Sequence, residues 1–248
     1  MFPLLTPITR NIIILNVIIY ILSNFIFPQM YDYLVAYFPL APQFKSWQII
    51  THMFMHGGLM HIFFNMFALV SFGSALEHFW GPKKFLFFYF SCGIGAALIH
   101  SGVNYYYFHE GLNLLIEEGF NKVEIMEVLN QGKFMNSWQA ALPSSVFENM
   151  IGALTPAVGA SGAIYGLLVA FAFMFPNAEL ALMFIPVPIK AKYFVPAIVL
   201  LDLFSGVTGY SIFGGGIAHF AHVGGALVGF IMMWYWKKNQ FNQNRWDR

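Results

Sequence analysis

The sequence has very little charge and almost no cysteine. Asp, Glu, Lys and Arg make up 9% of the 248 residues, against roughly 25% in an ordinary soluble domain. This scarcity excludes a water-soluble globule, because a soluble surface needs many more charged side chains. The single cysteine, Cys92, excludes an intrachain disulfide scaffold. The formal net charge of +1 offers no electrostatic basis for nucleic-acid binding, so no nucleic-acid partner is expected.

Apolar segments dominate the chain instead. Hydrophobic residues make up 58% of it, and six apolar segments lie at about 12–27, 57–76, 85–106, 160–175, 193–210 and 217–236. About 20 helical residues cross the ~30 Å hydrocarbon core of a bilayer, and a segment in lipid must satisfy its own backbone hydrogen bonds. We therefore predict an all-α polytopic membrane protein. Residues 1–248 form one six-helix bundle in the lipid bilayer, with an extended outer loop at about 107–158.

The basic residues predict the orientation of these spans. With both termini cytoplasmic, nine of the twelve Lys and Arg residues fall on the inner side, and the long outer loop is acidic, as the positive-inside rule requires. We expect a multi-pass protein of a bacterial inner membrane. The nine inner residues are Arg10, Lys83, Lys84, Lys190, Lys192, Lys237, Lys238, Arg245 and Arg248.

The outer loop carries an apolar pattern of its own. Leucine, isoleucine, valine and methionine recur at near-helical spacing among acidic residues between Leu112 and Leu129. Two interpretations stay open for this stretch. It is either an amphipathic helix that rests on the outer membrane surface or part of a folded cap without membrane contact.

Strongly polar side chains inside apolar segments are energetically costly and usually mark function. Ser161, His222 and Asn65 each lie about 15 or 16 residues from the inner boundary of their segment. At ~1.5 Å per residue they share a level ~22–24 Å above that boundary. The polar clusters are His52, His56, His61 and Asn65 in the second segment, Ser161 at the start of the fourth, Asp202 at the end of the fifth, and His219 and His222 in the sixth.

Small residues predict which of these helices touch. A Gly-x-x-x-Gly pair in the fourth segment and another in the sixth favour close helix approach. His222 lies on the glycine face of the sixth segment, so it could meet Ser161 within the ~2.6–3.2 Å that nucleophile activation needs. His219 lies nearly a turn closer to the outer water, which makes His222 the better candidate base. The pairs are Gly162 with Gly166 and Gly225 with Gly229.

Taken together, these motifs resemble the rhomboid family of intramembrane serine proteases over roughly 11–106 and 155–236. Trp47 just before the second segment fits the same pattern, whereas Gln48 stands where many members carry arginine. The matching motifs are His52-x3-His56-x4-His61-x3-Asn65, Gly159-x-Ser161-Gly162 with Tyr165, and Ala221-His222-x2-Gly225-x3-Gly229.

The resemblance implies a serine endopeptidase that hydrolyses peptide bonds in or near transmembrane segments of membrane proteins. Ser161 corresponds to the nucleophile and His222 to the general base, in a dyad without a third acidic member. His61, Asn65 and the backbone N–H of Ser161 correspond to the oxyanion hole. Neither a cofactor nor a metal is expected.

The resemblance also implies supporting roles. Tyr165 corresponds to the tyrosine on which the catalytic histidine stacks, and Glu77 to a structural carboxylate at the inner end of the second span. His52 and His56 correspond to histidines near the outer cavity. The remaining supporting positions are Gly159, Gly162, Gly225 and Gly229.

Three alternatives remain. The first is a catalytically inactive rhomboid-like protein that only binds membrane clients. The second is a metal or haem protein that uses His52, His56 and His61, although no carboxylate joins them as in a His-Glu-x-x-His motif. The third is a transporter, which the small number of charged intramembrane residues disfavours.

Overall fold

The computed structural model describes residues 5–182, 185–210 and 218–239. A π-helical turn, Leu22–Ile26, extends α1, and another, Leu69–Gly73, joins α4 to α5; a 3₁₀ turn, His52–Phe54, follows α3. The strands β1 (Glu179–Leu182) and β2 (Ile185–Lys190) pair in antiparallel fashion. The α-helices are α1 (Pro7–Ile21), α2 (Met30–Leu34), α3 (Gln48–Thr51), α4 (Leu59–Ala68), α5 (Ser74–Trp80), α6 (Pro82–Glu117), α7 (Lys122–Asn130), α8 (Asn136–Ala141), α9 (Ser144–Gly152), α10 (Ser161–Met174), α11 (Ala191–Thr208) and α12 (His219–Asn239).

Four helical segments among the described residues are long and apolar enough to cross a membrane, namely Pro7–Ile26, Leu59–Trp80, Pro82–Glu117 and Ala191–Thr208. The apolar helix α10 is shorter, at 14 residues, and α12 has 21. The predicted all-α polytopic membrane fold is confirmed, and the count of six spans stays a prediction. Residue 217, where the sixth predicted segment begins, and the inner charges Arg245 and Arg248 lie outside the described residues.

Helix α10 lies at the centre of the bundle and packs against α6, α11 and α12. Its close approach to α12 depends on glycine, as the two Gly-x-x-x-Gly pairs predict. A Cβ at Gly225 would lie 1.8 Å from the carbonyl oxygen of Gly162, and one at Gly229 would lie 2.8 Å from the Cα of Gly166. Neither contact leaves room for a side chain, so the two backbones touch directly.

Glu77 of α5 holds the start of α1. Its buried carboxylate accepts hydrogen bonds from the backbone N–H groups of Ile8 and Thr9 and from the hydroxyls of Thr6 and Thr9, at 2.5–2.9 Å. The first N–H groups of a helix have no partner within the helix, and a carboxylate also interacts favourably with the positive end of the helix dipole. This geometry agrees with the structural role expected for Glu77.

The outer loop folds as a cap with its own apolar core. At ~1.5 Å per residue, the 36-residue helix α6 is ~54 Å long and extends well past a ~30 Å hydrocarbon core. Its last turns pack with α7, α8 and α9 around Phe108, Trp138 and Met150. Ile125 of α7 is buried in the same cluster. This stretch is therefore part of a folded cap, and Val123 of α7 stays exposed on it.

Candidate active site

Ser161 is the first residue of α10, and the segment that leads to it is held in place on both sides. Ala157 pairs with Ala36 through two backbone hydrogen bonds of 2.9 and 3.0 Å, and the N–H of Gly159 donates to the carbonyl of His52 at 2.9 Å. Gly159 has a φ of +118°, which side chains of other residues rarely allow. These contacts determine where the serine side chain stands.

The N-terminus of α10 presents unpaired donors beside Ser161. The N-cap residue, Ala160, has no side chain that could accept from the first turn. The first backbone N–H groups of the helix, including that of Ser161, therefore have no capping partner, and the positive end of the helix dipole lies here. Such a site favours a negatively charged oxygen.

His222 of α12 meets Ser161 across the interface of the two glycine faces. The distance between Nε2 of His222 and Oγ of Ser161 is 2.8 Å. The ring of Tyr165, one turn further along α10, stacks on the imidazole with a centroid separation of 4.3 Å and an interplanar angle of 12°. Within the described residues, the hydroxyl of Ser161 bonds to His222 and not to His219.

A carboxylate lies on the other nitrogen of the same imidazole. Oδ1 of Asp202 is 3.1 Å from Nδ1 of His222 and 2.5 Å from Nδ1 of His219, and the hydroxyl of Tyr165 donates to Oδ2 of Asp202. Asp202 is buried in the second half of α11, not at the end of the fifth span as expected. The arrangement differs from the expected dyad, because serine, histidine and aspartate form one hydrogen-bonded chain.

His61 and Asn65 lie on α4, close to the loop before Ser161. A Cβ built on Gly159 would lie 2.7 Å from Nε2 of His61 and 3.6 Å from Oγ of Ser161, so the histidine ring lies against the same glycine as the serine. The side-chain amide of Asn65 donates to the carbonyl of His61 at 2.8 Å. A primary amide has two N–H donors, so one such bond leaves a second donor for another acceptor.

His52 and His56 precede α4, whereas the sequence analysis placed them on the second span. His52 lies in the 3₁₀ turn and His56 in the loop before Gly58, the N-cap of α4. Burial lowers the pKa of His52, and burial, together with the nearby His61, lowers the pKa of His56 to about 3. Both rings are therefore neutral at ordinary pH.

The first outer loop is braced by Gln48, the residue that stands where many rhomboids carry arginine. Its buried side-chain oxygen accepts from the N–H of Lys45 at 3.1 Å, and its amide nitrogen donates to the carbonyl of Gln43 at 3.2 Å. The carbonyl of Gln48 in turn lies 2.9 Å from Nδ1 of His52. The glutamine thus links the loop to the turn that holds Gly159.

A small cavity of about 30 Å³ adjoins Ser161, and its lining includes polar side chains among alanines. His52 lines it as expected, and so do two residues that the sequence analysis missed, His100 and Asn104 of α6. These two side chains contact each other at 3.2 Å. Their i, i+4 spacing within an apolar helix is the signal that could have identified them.

The described residues contain one cluster of three potential metal ligands that lie close together, Asp202, His219 and His222. This cluster differs from His52, His56 and His61, the histidines of the alternative interpretation as a metal protein. Only two of those three rings pack together, His56 and His61, with a centroid distance of 5.0 Å.

Comparisons with known proteins agree with the fold. The family model of the Rhomboid domain matches residues 43–116 and 113–239. The chain is 28% identical over 211 residues to presenilin-associated rhomboid-like protein A, mitochondrial, of Danio rerio, covering 84% of this chain and 42% of that protein. It is 25% identical over 213 residues to Rhomboid protein 1, mitochondrial, of Saccharomyces cerevisiae, covering 85% and 48%.

A third relative, the presenilin-associated rhomboid-like protein, mitochondrial, of Homo sapiens, is 32% identical over 134 residues, or 52% of this chain and 33% of that protein. The chain thus spans less than half the length of these relatives. Their names place them in mitochondria, and they lend no support to the expected bacterial membrane.

Proposed function

This chain belongs to the rhomboid family, and from that premise we propose that it is an intramembrane serine endopeptidase with Ser161 as nucleophile and His222 as general base. The observation that carries the proposal is the 2.8 Å contact between Ser161 Oγ and His222 Nε2. This distance is within the range in which a histidine can take the proton of an attacking serine. The substrate class is a membrane protein with a segment in or near the bilayer.

The reaction begins when Ser161 Oγ attacks the carbonyl carbon of the scissile peptide bond. Its proton passes to Nε2 of His222, which returns it to the leaving amine as the C–N bond breaks. The resulting acyl-enzyme is hydrolysed by water that His222 activates in the same way. The 30 Å³ cavity beside Ser161 has room for about two water molecules, so it could store the reactant of this second step.

The tetrahedral intermediate carries a negative oxygen, which the N-terminus of α10 would stabilise. The backbone N–H of Ser161 is one donor, and the free amide hydrogen of Asn65 and the ring of His61 are the others we assign. In a site that excludes bulk water such donors are worth much more than in water, because they are already oriented before the charge forms.

Asp202 acts through His222 as a positioning residue. For Nε2 to accept the serine proton, Nδ1 must carry a hydrogen, and Oδ1 of Asp202 is placed to accept it. The carboxylate also stabilises the imidazolium that forms when the proton is taken. The hydroxyl of Tyr165 holds the other carboxylate oxygen, while its ring supports the imidazole from one side.

Substrates must unfold locally before they are cut. A transmembrane helix satisfies its backbone hydrogen bonds internally, so its peptide carbonyls are not free to enter an oxyanion hole. From the family resemblance we expect small residues at the cleavage site and a helix-destabilising glycine or proline nearby. Such residues lower the cost of exposing an extended segment to Ser161.

The orientation we propose places both ends of the described bundle on the basic side of the membrane. Glu77 joins α5 to the start of α1, and the ammonium group of Lys84 lies 4.1 Å from the ring centroid of Trp236 near the end of α12. Several basic residues of the predicted inner group therefore lie at one end of the bundle. The cap lies at the other end, beyond the outer part of α6.

The test uses the full chain, purified in detergent or reconstituted in liposomes, with a model single-span substrate. Ser161→Ala should abolish cleavage and labelling by a fluorophosphonate, while the protein still folds. Ser71→Ala is the matched control, because Ser71 is a serine in a predicted span whose hydroxyl, within the described part of the chain, bonds only to the carbonyl of Phe67. Wild-type turnover by Ser161→Ala would overturn the proposal. A wild-type protein that neither cleaves nor labels, yet retains the substrate, would favour the inactive client-binding alternative.

A further inference from the structure

Three potential metal ligands from two helices converge directly behind the catalytic histidine. Asp202 comes from α11, and His219 and His222 come from one face of α12. One ligand atom from each lies within 4.8 Å of the other two. Oδ1 of Asp202 is already 2.5 Å from Nδ1 of His219 and 3.1 Å from Nδ1 of His222.

We propose that Asp202, His219 and His222 form an inhibitory Zn²⁺ site. Two imidazole nitrogens and one carboxylate oxygen are a set that zinc binds with a fourth position left open. Ligand atoms at ~2.0–2.2 Å from a tetrahedral zinc are ~3.3–3.5 Å apart. The three atoms reach that spacing by shifts of about 1 Å, and the hydroxyl of Tyr165 already holds the second carboxylate oxygen in place.

Zinc binding here changes the proton on His222. The metal takes the lone pair of Nδ1, so the ring proton moves from Nδ1 to Nε2 and no proton is gained or lost by the neutral ring. Nε2 then donates to Ser161 Oγ instead of accepting from it. The histidine can no longer take the serine proton, and Asp202 is no longer available to hold the active tautomer.

The cluster is also reachable from water. The three side chains keep 10–13% of their surface exposed, and His219 is the first residue of α12. Each of the three side chains is therefore in partial contact with the surroundings of the bundle. The inhibition of cleavage by zinc rests on the proposed function. The binding of zinc to the three side chains does not depend on it.

Binding is measured first, without reference to activity. The full chain is titrated with Zn²⁺ by equilibrium dialysis as wild type, Ser161→Ala, His219→Gln and His109→Ala. Glutamine keeps a polar side chain but lacks the imidazole ligand, and His109 is a half-buried histidine of α6 outside the cluster. We expect one zinc per chain in all but His219→Gln, whose affinity should fall by at least about 100-fold.

Cleavage of the single-span substrate is then followed against Zn²⁺ concentration, with each variant compared with its own rate in EDTA. Wild type and His109→Ala should lose activity reversibly, and His219→Gln should need at least about 100-fold more zinc. Equal zinc sensitivity in His219→Gln, or no saturable binding to wild type below about 100 μM, would overturn the site. Zinc binding that depends on His219 in a protein that never cleaves would support the site and reject the proposed function.

Discussion

The two nitrogens of His222 face different partners, and this division determines what Ser161 is able to do. Nε2 faces the serine hydroxyl and Nδ1 faces Asp202. A neutral imidazole has one donor and one acceptor nitrogen. The carboxylate can only accept, so it selects the tautomer in which Nε2 is free to act as a base.

Replacing Asp202 by Asn should therefore reduce kcat by roughly 10²–10⁴-fold with little change in KM. An asparagine amide can donate to Nδ1, which favours the tautomer with the proton on Nε2, and it supplies no charge to stabilise the imidazolium. Steady-state kinetics on the purified variant measure the effect. Asp202→Glu should recover part of the rate. If Asp202→Asn instead lowers the melting temperature and leaves kcat normal, Asp202 has only a structural role.

Asn65 is the second residue whose chemistry is open to a direct test. Asn65→Ala should lower kcat by about 10²–10³-fold if its free amide hydrogen reaches the oxyanion, the usual cost of losing one well-aligned donor. The variant should remain measurably active, unlike Ser161→Ala, because the backbone donors of α10 persist. Melting temperature and kcat are measured on the same sample. A destabilised variant with normal kcat would show that the amide only bonds to its own helix.

At the level of helices, the contact between α10 and α12 brings Ser161 and His222 together. Gly-x-x-x-Gly spacing predicts this contact because the signal is local to each helix and depends only on periodicity. The contact of Asp202 with His222 could not be predicted in the same way. It depends on the rotation of α11 relative to α12, which no spacing within either segment determines.

The positions of His52 and His56 show a second limit of local patterns. Their i, i+4 spacing is that of one helical face, but the Gly57-Gly58 pair interrupts the segment and α4 begins only at Leu59. Adjacent glycines are a recognised signal of a turn. The cap, in turn, depends on contacts between residues far apart in sequence, such as Phe38 with Phe108 at a ring-centroid distance of 5.1 Å.

Gly225→Ala tests the helix contact itself. The added Cβ would lie 1.8 Å from the carbonyl oxygen of Gly162, so the helices must move apart. We expect a loss of about 1–3 kcal/mol of stability from overpacking and a large fall in activity as Ser161 separates from His222. Gly102→Ala in α6 is the matched control, since its Cβ would meet nothing within 4 Å. Thermal unfolding in detergent and cleavage assays check both variants, and equal behaviour of the two would contradict the close contact.

On the scale of the whole molecule, the bundle and the cap have separate apolar cores. The bundle core is formed around α10 by residues such as Leu167 and Phe88, and the cap core by residues such as Trp138 and Met150. The Ala36–Ala157 pair joins the first outer loop to the segment before Ser161. The last helix of the cap, α9, ends at Gly152, so the cap leads directly into the segment before Ser161.

The proposed orientation predicts opposite accessibility for Lys122 in the cap and Lys190 at the end of the hairpin, both of which are exposed. In intact cells or sealed vesicles of known orientation, a membrane-impermeant maleimide should label Lys122→Cys from the outer side. Lys190→Cys should label only after permeabilisation. The wild-type chain is the control for background, because its single cysteine, Cys92, is fully buried against α10. If both variants are labelled from the same side, the chain does not cross the membrane between residues 122 and 190 in the way we propose. The proposed orientation would then be wrong.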